Sequence, residues 1–119
     1  KRDWVARKIE SSANYFYKKN KKIPKIAIYG LSYKADIDDL RESPSVYIAE
    51  NLKSKGHKIS IVEPNVKKYK NFKIKKVDES LKTDDLIVIL VKHKEFKNLS
   101  KAIKKDHIYL DFCNALNQK

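Results

Sequence analysis

Between Lys25 and Pro44 the chain reads KIAIYGLSYKADIDDLRESP. An apolar strand gives way at Gly30 to Tyr33, Lys34, Asp36, Asp38, Asp39, Arg41 and Glu42, after which Ser43-Pro44 opens a helix. A strand end crowded with ionisable groups suits a polar ligand, because in open α/β sheets ligands settle beyond the carboxyl ends of the strands. Arg41 narrows the chemistry. Of 28 basic residues only Arg2, Arg7 and Arg41 are arginines, so a merely solvated charge would ordinarily be a lysine here. A guanidinium fork holds phosphate or carboxylate at two points, which an ammonium does not. The alternative from spacing is an Arg41 paired with Asp38 or Asp39 that stiffens the loop. The three aspartates could attract a hard cation, but they lack the glycine and distal glutamate of a calcium loop. Hydrogen bonding within the loop and pairing to Lys34 or Arg41 account for them, and no metal site is expected.

The elements that must position this loop follow from periodicity. Trp4, Val5, Ile9, Ala13, Phe16 and Tyr17 approximate helical spacing from Asp3 to about Lys19. Ile26 to Tyr29 is a short apolar strand. Ser43 and Pro44 are an N-cap and first-turn pair for a helix that carries Val46, Ile48, Ala49 and Leu52 to a stop at Gly56. Lys58 to Val62 is a second strand, ended at Glu63-Pro64 because proline cannot continue a central ladder. A short edge strand is expected within Phe72 to Val77, and a helix capped by Asp78 runs through Leu81. Asp85 to Val91 is apolar nearly throughout, as a strand buried on both faces of a parallel sheet requires. A helix near Phe96 to Ile103 and a last strand, His107 to Asp111, complete the alternation. The expectation is an α/β, Rossmann-like three-layer domain with a mainly parallel sheet, preceded by an N-terminal helix.

At 119 residues with 41% hydrophobic content, the chain suits one core. Its single cysteine excludes an internal disulfide, and a reducing cytoplasm fits. No apolar run approaches a membrane span, and KRDWVARKIE lacks the apolar core of a signal peptide. The formal charge of +13 would admit nucleic acid or an anionic membrane as partners. Its lysines, however, fall in short groups such as Lys18-Lys19, Lys67-Lys68 and Lys104-Lys105, with no nucleic-acid motif among them. A lysine-rich proteome or a surface complementary to an acidic partner domain is the favoured reading, with direct nucleic-acid binding the minority one. The rivals are a stand-alone nucleotide-binding module and a basic scaffold for RNA or acidic protein.

The dinucleotide fingerprint G-x-G-x-x-G is absent, since the chain holds only Gly30 and Gly56. Without those glycines a backbone cannot approach a pyrophosphate in the first turn, so this is not a primary NAD site. Lys34 and Arg41 offer side chains instead, and the helix at Pro44 adds a positive dipole end. On their own, Tyr33 reads by default as a packed loop aromatic and Lys34 as a solvated lysine. His93, at the mouth of the buried strand, receives no role. Glu63 stands where a ribose-binding acid often lies, but Pro64-Asn65 equally makes it a turn residue.

Gly30 to Pro44 resembles the signature G-L-(A/S)-(F/Y)-K-x-(D/N)-x-D-D-x-R-E-S-P that opens the C-terminal, UDP-binding domain of the UDP-glucose/GDP-mannose dehydrogenase family. The similarity continues through Val62-Glu63-Pro64-Asn65 and Leu90-Val91-Lys92-His93, and its wording is most like the UDP-N-acetyl-D-mannosamine dehydrogenases. The resemblance implies that Tyr33 and Lys34 contact the UDP-sugar and that Arg41 reaches NAD held mainly by an N-terminal domain beyond this chain. It also implies a division into the end of a central dimerisation helix, residues 1–22, and a UDP-sugar-binding α/β domain, residues 23–119. The complete enzyme would be a homodimer that oxidises the sugar C6 alcohol to a carboxylate with two NAD⁺. The family's nucleophile lies in G-(G/F)-x-C-(F/L)-P-K-D, so Cys113, in Leu110-Asp111-Phe112-Cys113-Asn114, is not that residue, and no catalytic residue is expected here. Many relatives place a substrate-binding arginine where this chain has Cys113, a departure that puts that contact in doubt.

Overall fold

In the computed structural model the described residues are 2–32, 43–96, 99 and 107–113. They form helix α1 (Arg2–Asn20), strand β1 (Lys25–Tyr29), helix α2 (Pro44–Ser54), strands β2 (Lys58–Val62) and β3 (Lys73–Ile74), helix α3 (Val77–Thr83) and strand β4 (Leu86–Ile89). A 3₁₀ turn at Lys94–Phe96 and strand β5 (Ile108–Asp111) follow. The sheet order is β3-β2-β1-β4-β5 and every pairing among the described strands is parallel. The chain therefore reverses direction across the sheet between β1 and β4, which makes the carboxyl ends of those strands the topological switch point.

Alternation along the strands sorts the core into two layers. Ile26 and Ile28 of β1 and Leu86 and Val88 of β4 face α1 and α2, where they meet Val5, Ile9, Ala13, Ile48, Ala49 and Leu52. Ala27, Tyr29, Ile87 and Ile89 face the other way, onto Phe96 and Leu99, with Val77 and Leu81 of α3 packed against them. β4 is buried at all four positions, as its uninterrupted apolar run requires. Tyr29 anchors the second layer. Its hydroxyl donates to Ser80 Oγ at 2.8 Å, its ring lies 5.3 Å from that of Phe96, and burial pushes its pKa up to about 12.

Several boundaries differ from expectation for physical reasons. α1 buries the stripe Val5, Ile9, Ala13 and Phe16, whereas Trp4 and Tyr17 stand about half exposed, since they lie to the sides of that stripe. Trp4 instead meets Phe112 edge-on at 6.0 Å. α3 starts at Val77 with Lys76 in the cap position, and Asp78 lies inside the first turn, where its charge complements the helix dipole. The expected edge strand shortens to Lys73–Ile74. Of the helix expected near residues 96–103, only the 3₁₀ turn and residue 99 are described. No helix among the described residues is long and apolar enough to cross a membrane.

Gly30 ends β1 at the switch point with φ +99, and its amide still donates to Val62 O at 2.9 Å. A Cβ there would lie 2.5 Å from Val91 Cβ and 2.8 Å from Val91 N, so both conformation and space demand glycine. Gly30→Ala is expected to cost about 2–4 kcal/mol of stability, from the positive φ and the backbone clash together. Denaturant unfolding checks it, with Gly56→Ala as comparator, because Gly56 shares a positive φ but has open space around its Cβ position.

Candidate functional site

The parallel register pairs Tyr29 with Val62 on one side and with Ile89 on the other. The residues that follow, Gly30, Glu63 and Leu90, therefore emerge together at the carboxyl edge. Ser43 marks the return of the chain at α2. Its Oγ donates to Leu31 O at 2.7 Å and accepts from Ser45 N at 3.2 Å, so one hydroxyl caps α2 and ties that helix to the end of β1.

The centre of this edge is a buried carboxylate. Glu63 Oε1 accepts from Leu31 N at 2.7 Å, from Ser32 N at 3.0 Å and from His93 Nε2 at 2.9 Å. Its Oε2 accepts from Asn65 N at 2.9 Å and from Asn65 Nδ2 at 3.3 Å. The Glu63 and His93 side chains have no exposed surface. A carboxylate only accepts, so the short contact assigns the proton to His93 Nε2 and leaves Nδ1 to take the Asn65 amide at 3.3 Å. Ser32 Oγ lies 3.2 Å from the same Nε2, and Phe96 meets the imidazole edge-on at 5.5 Å. Burial alone would raise the Glu63 pKa, but His93 and the amides of Leu31, Asn65 and Ser32 outweigh it and bring it down to about 2.

Tyr33, Lys34 and Arg41, together with Asp36, Asp38, Asp39 and Glu42, lie outside the described residues. What the structure fixes are their two anchors, Ser32 and Ser43. Glu63 serves as the turn residue that Pro64-Asn65 announced, with its oxygens turned inward and filled by protein donors. His93, to which no role attached, is part of this buried cluster. The signal in the chain was a Glu after one strand and a His after another, but only the sheet order makes those strands the two neighbours of β1. Cys113 is partly buried beside Asp111, whose Oδ1 accepts from its amide at 3.3 Å and lies 3.6 Å from its sulfur. Among the described residues no group of His, Cys, Asp and Glu could hold a metal ion.

A doubly wound parallel sheet whose first-turn amides are taken by an internal carboxylate defines a Rossmann-like domain with no open dinucleotide turn among its described residues. The chain belongs to the UDP-glucose/GDP-mannose dehydrogenase family, matching its UDP binding domain over residues 27–118. It is 45% identical over 95 residues to the UDP-N-acetyl-D-mannosamine dehydrogenase of Escherichia coli K12, a match covering 74% of this chain and 21% of that protein. It is 34% identical over 101 residues to the enzyme of the same name from Methanococcus aeolicus, covering 79% of this chain and 23% of that one. Among solved structures, the UDP-N-acetyl-mannosamine dehydrogenase from Staphylococcus aureus superposes with a TM-score of 0.71 at 26% identity, over 98% of this chain and 32% of that one. The chain thus spans about a quarter of the length of the curated relatives it matches.

The lowered pKa of Glu63 makes a signed prediction. Folding stabilises the ionised form, so the contribution is complete above the ordinary value of 4.5 and declines as pH falls toward about 2. At neutral pH it amounts to about 3 kcal/mol. In Glu63→Gln the new NH₂ must face either the Leu31, Ser32 and His93 donors or the Asn65 donors, so isosteric shape does not rescue it. The stability gap between wild type and Glu63→Gln is expected to be about 3 kcal/mol at pH 7 and to close between pH 4.5 and 2 in urea unfolding.

Proposed function

We propose that this chain is the nucleotide-sugar-binding C-terminal domain of an NAD-dependent UDP-sugar 6-dehydrogenase acting on UDP-N-acetyl-D-mannosamine. The observation that carries the reading is the filled amide cradle inside a domain matched as UDP binding. Phosphate is then left to side chains and to the α2 start at Pro44, and Tyr33, Lys34 and Arg41 stand next in the chain. Tyr33 and Lys34 contact the UDP-sugar. Arg41 reaches toward NAD, the hydride acceptor in both oxidation steps. The described residues do not themselves fit a dinucleotide, since only Gly30 follows β1 and Glu63 holds the amides that a pyrophosphate would need. NAD is accordingly assigned to an N-terminal domain of a longer protein, and this chain binds without catalysing.

The choice of sugar is supported by relatives that bear the UDP-N-acetyl-D-mannosamine dehydrogenase name at 34% and 45% identity. Residues 1–22 continue a central dimerisation helix, and residues 23–119 form the binding domain. α1 would then serve two partners, this core through Val5, Ile9 and Ala13 and a second subunit through its outer face in a homodimer. The setting is cytoplasmic, and nucleic acid is not a partner.

Calorimetric titration with UDP, UDP-N-acetylmannosamine and UDP-glucose tests the reading. Saturable binding is expected, loosened about tenfold or more in Lys34→Ala by loss of one charge-assisted contact to phosphate. Binding that ignores Lys34→Ala and disappears with salt would instead mark a diffuse basic surface. If the isolated chain shows no heat, the same titration on the full-length protein decides.

A further inference from the structure

At the end of β1 the Leu31 and Ser32 amides converge on one point, joined there by His93 Nε2, while Asn65 N and Nδ2 close the far side. Successive backbone N–H groups at the first turn of a doubly wound sheet form the concavity that receives a ligand phosphate. Here the occupant is the chain's own carboxylate, fully out of solvent. We propose that Glu63 is a specificity-determining and positioning residue: it fills the phosphate cradle of the switch point with an internal anion, bars a ligand phosphate from the backbone, and locks the stem on which residues 33–42 are mounted.

Both halves follow from the geometry. A phosphate entering the cradle would have to expel a carboxylate that holds five donors or lie against it, and two anions at that distance repel. The stem is tied through Leu31, which gives its N–H to Glu63 and takes Ser43 Oγ on its carbonyl, so the two ends of the segment meet at one residue. Glu63 follows β2 and His93 follows β4, so the tie spans the three central strands. The barring of phosphate stands on the described residues alone. The positioning of ligand contacts rests on the function proposed above.

The test compares wild type, Glu63→Ala and Glu63→Gln in formate and in chloride at matched ionic strength, reading the folding equilibrium by denaturant. Formate should re-enter the vacated cradle of Glu63→Ala and, at about ten times its Kd, raise the folding constant about tenfold over chloride. Wild type and Glu63→Gln should show no such difference, and an equal response in all three overturns the proposal. If Glu63→Ala does not fold in either salt, hydrogen exchange in Glu63→Gln decides. Either the Leu31 and Ser32 amides or the Asn65 amide, whichever set the new NH₂ faces, should exchange at least about tenfold faster than in wild type while those of Ile26 and Ile28 keep their rates. Unchanged protection at all three overturns it. A wild type that binds UDP with the affinity of Glu63→Gln removes the positioning half. A full-length wild type that binds no UDP counts against the proposed function and leaves the formate result standing.

Discussion

A single carboxylate out of water organises the working edge of this domain. Glu63 would be a costly group to bury by itself, and it is tolerated because five donors from three separate loops converge on its two oxygens. The Leu31 and Ser32 amides leave β1 just where the ladder ends, and the imidazole of His93 sits against Phe96 with no solvent to serve its ring nitrogens. The acid and its donors satisfy one another, and in doing so they set the direction in which the chain leaves β1.

Around that point the packing is tight enough to forbid alternatives. Gly30 leaves no room for a Cβ beside Val91, so the chain leaving β1 passes close against the chain leaving β4 at the switch point. Ser43 closes the segment by bonding to Leu31 and capping α2 with the same hydroxyl. The result is a nucleotide-domain architecture with its usual backbone phosphate site filled from within. That distinguishes it in physical terms from a dinucleotide domain of the same topology, where glycines leave the amides open.

The rest of the chain supplies support and charge. α1 turns Val5, Ile9 and Ala13 into the core, and to the sides of that stripe Trp4, Tyr15 and Tyr17 stand about half exposed. Among the described residues the basic side chains are spread along the chain in short lysine groups. Their local pairs, such as Lys55 with Glu10 and Lys70 with Glu50, are exposed and contribute little to stability. A field of this sign still favours the approach of a polyanionic ligand.

Much of this was legible in the residues. The apolar run of β4, the Ser43-Pro44 start of α2, the alternation of strands and helices and the missing glycines are local signals, and each states its conclusion within a few residues. So does the family, because the signature from Gly30 to Pro44 is contiguous. The buried cluster was not legible in that way. Glu63 and His93 are separated by 30 positions, and one read as either a ribose-binding acid or a turn residue while the other, at the mouth of a strand, received no role. Composition, element type and family were therefore determined by the sequence itself, whose short-range patterns specify backbone conformation and burial. That Glu63 reaches Leu31, Ser32 and His93 was decided only by the tertiary structure, since it depends on β2 and β4 flanking β1 in register, a property of strand order that no local pattern encodes.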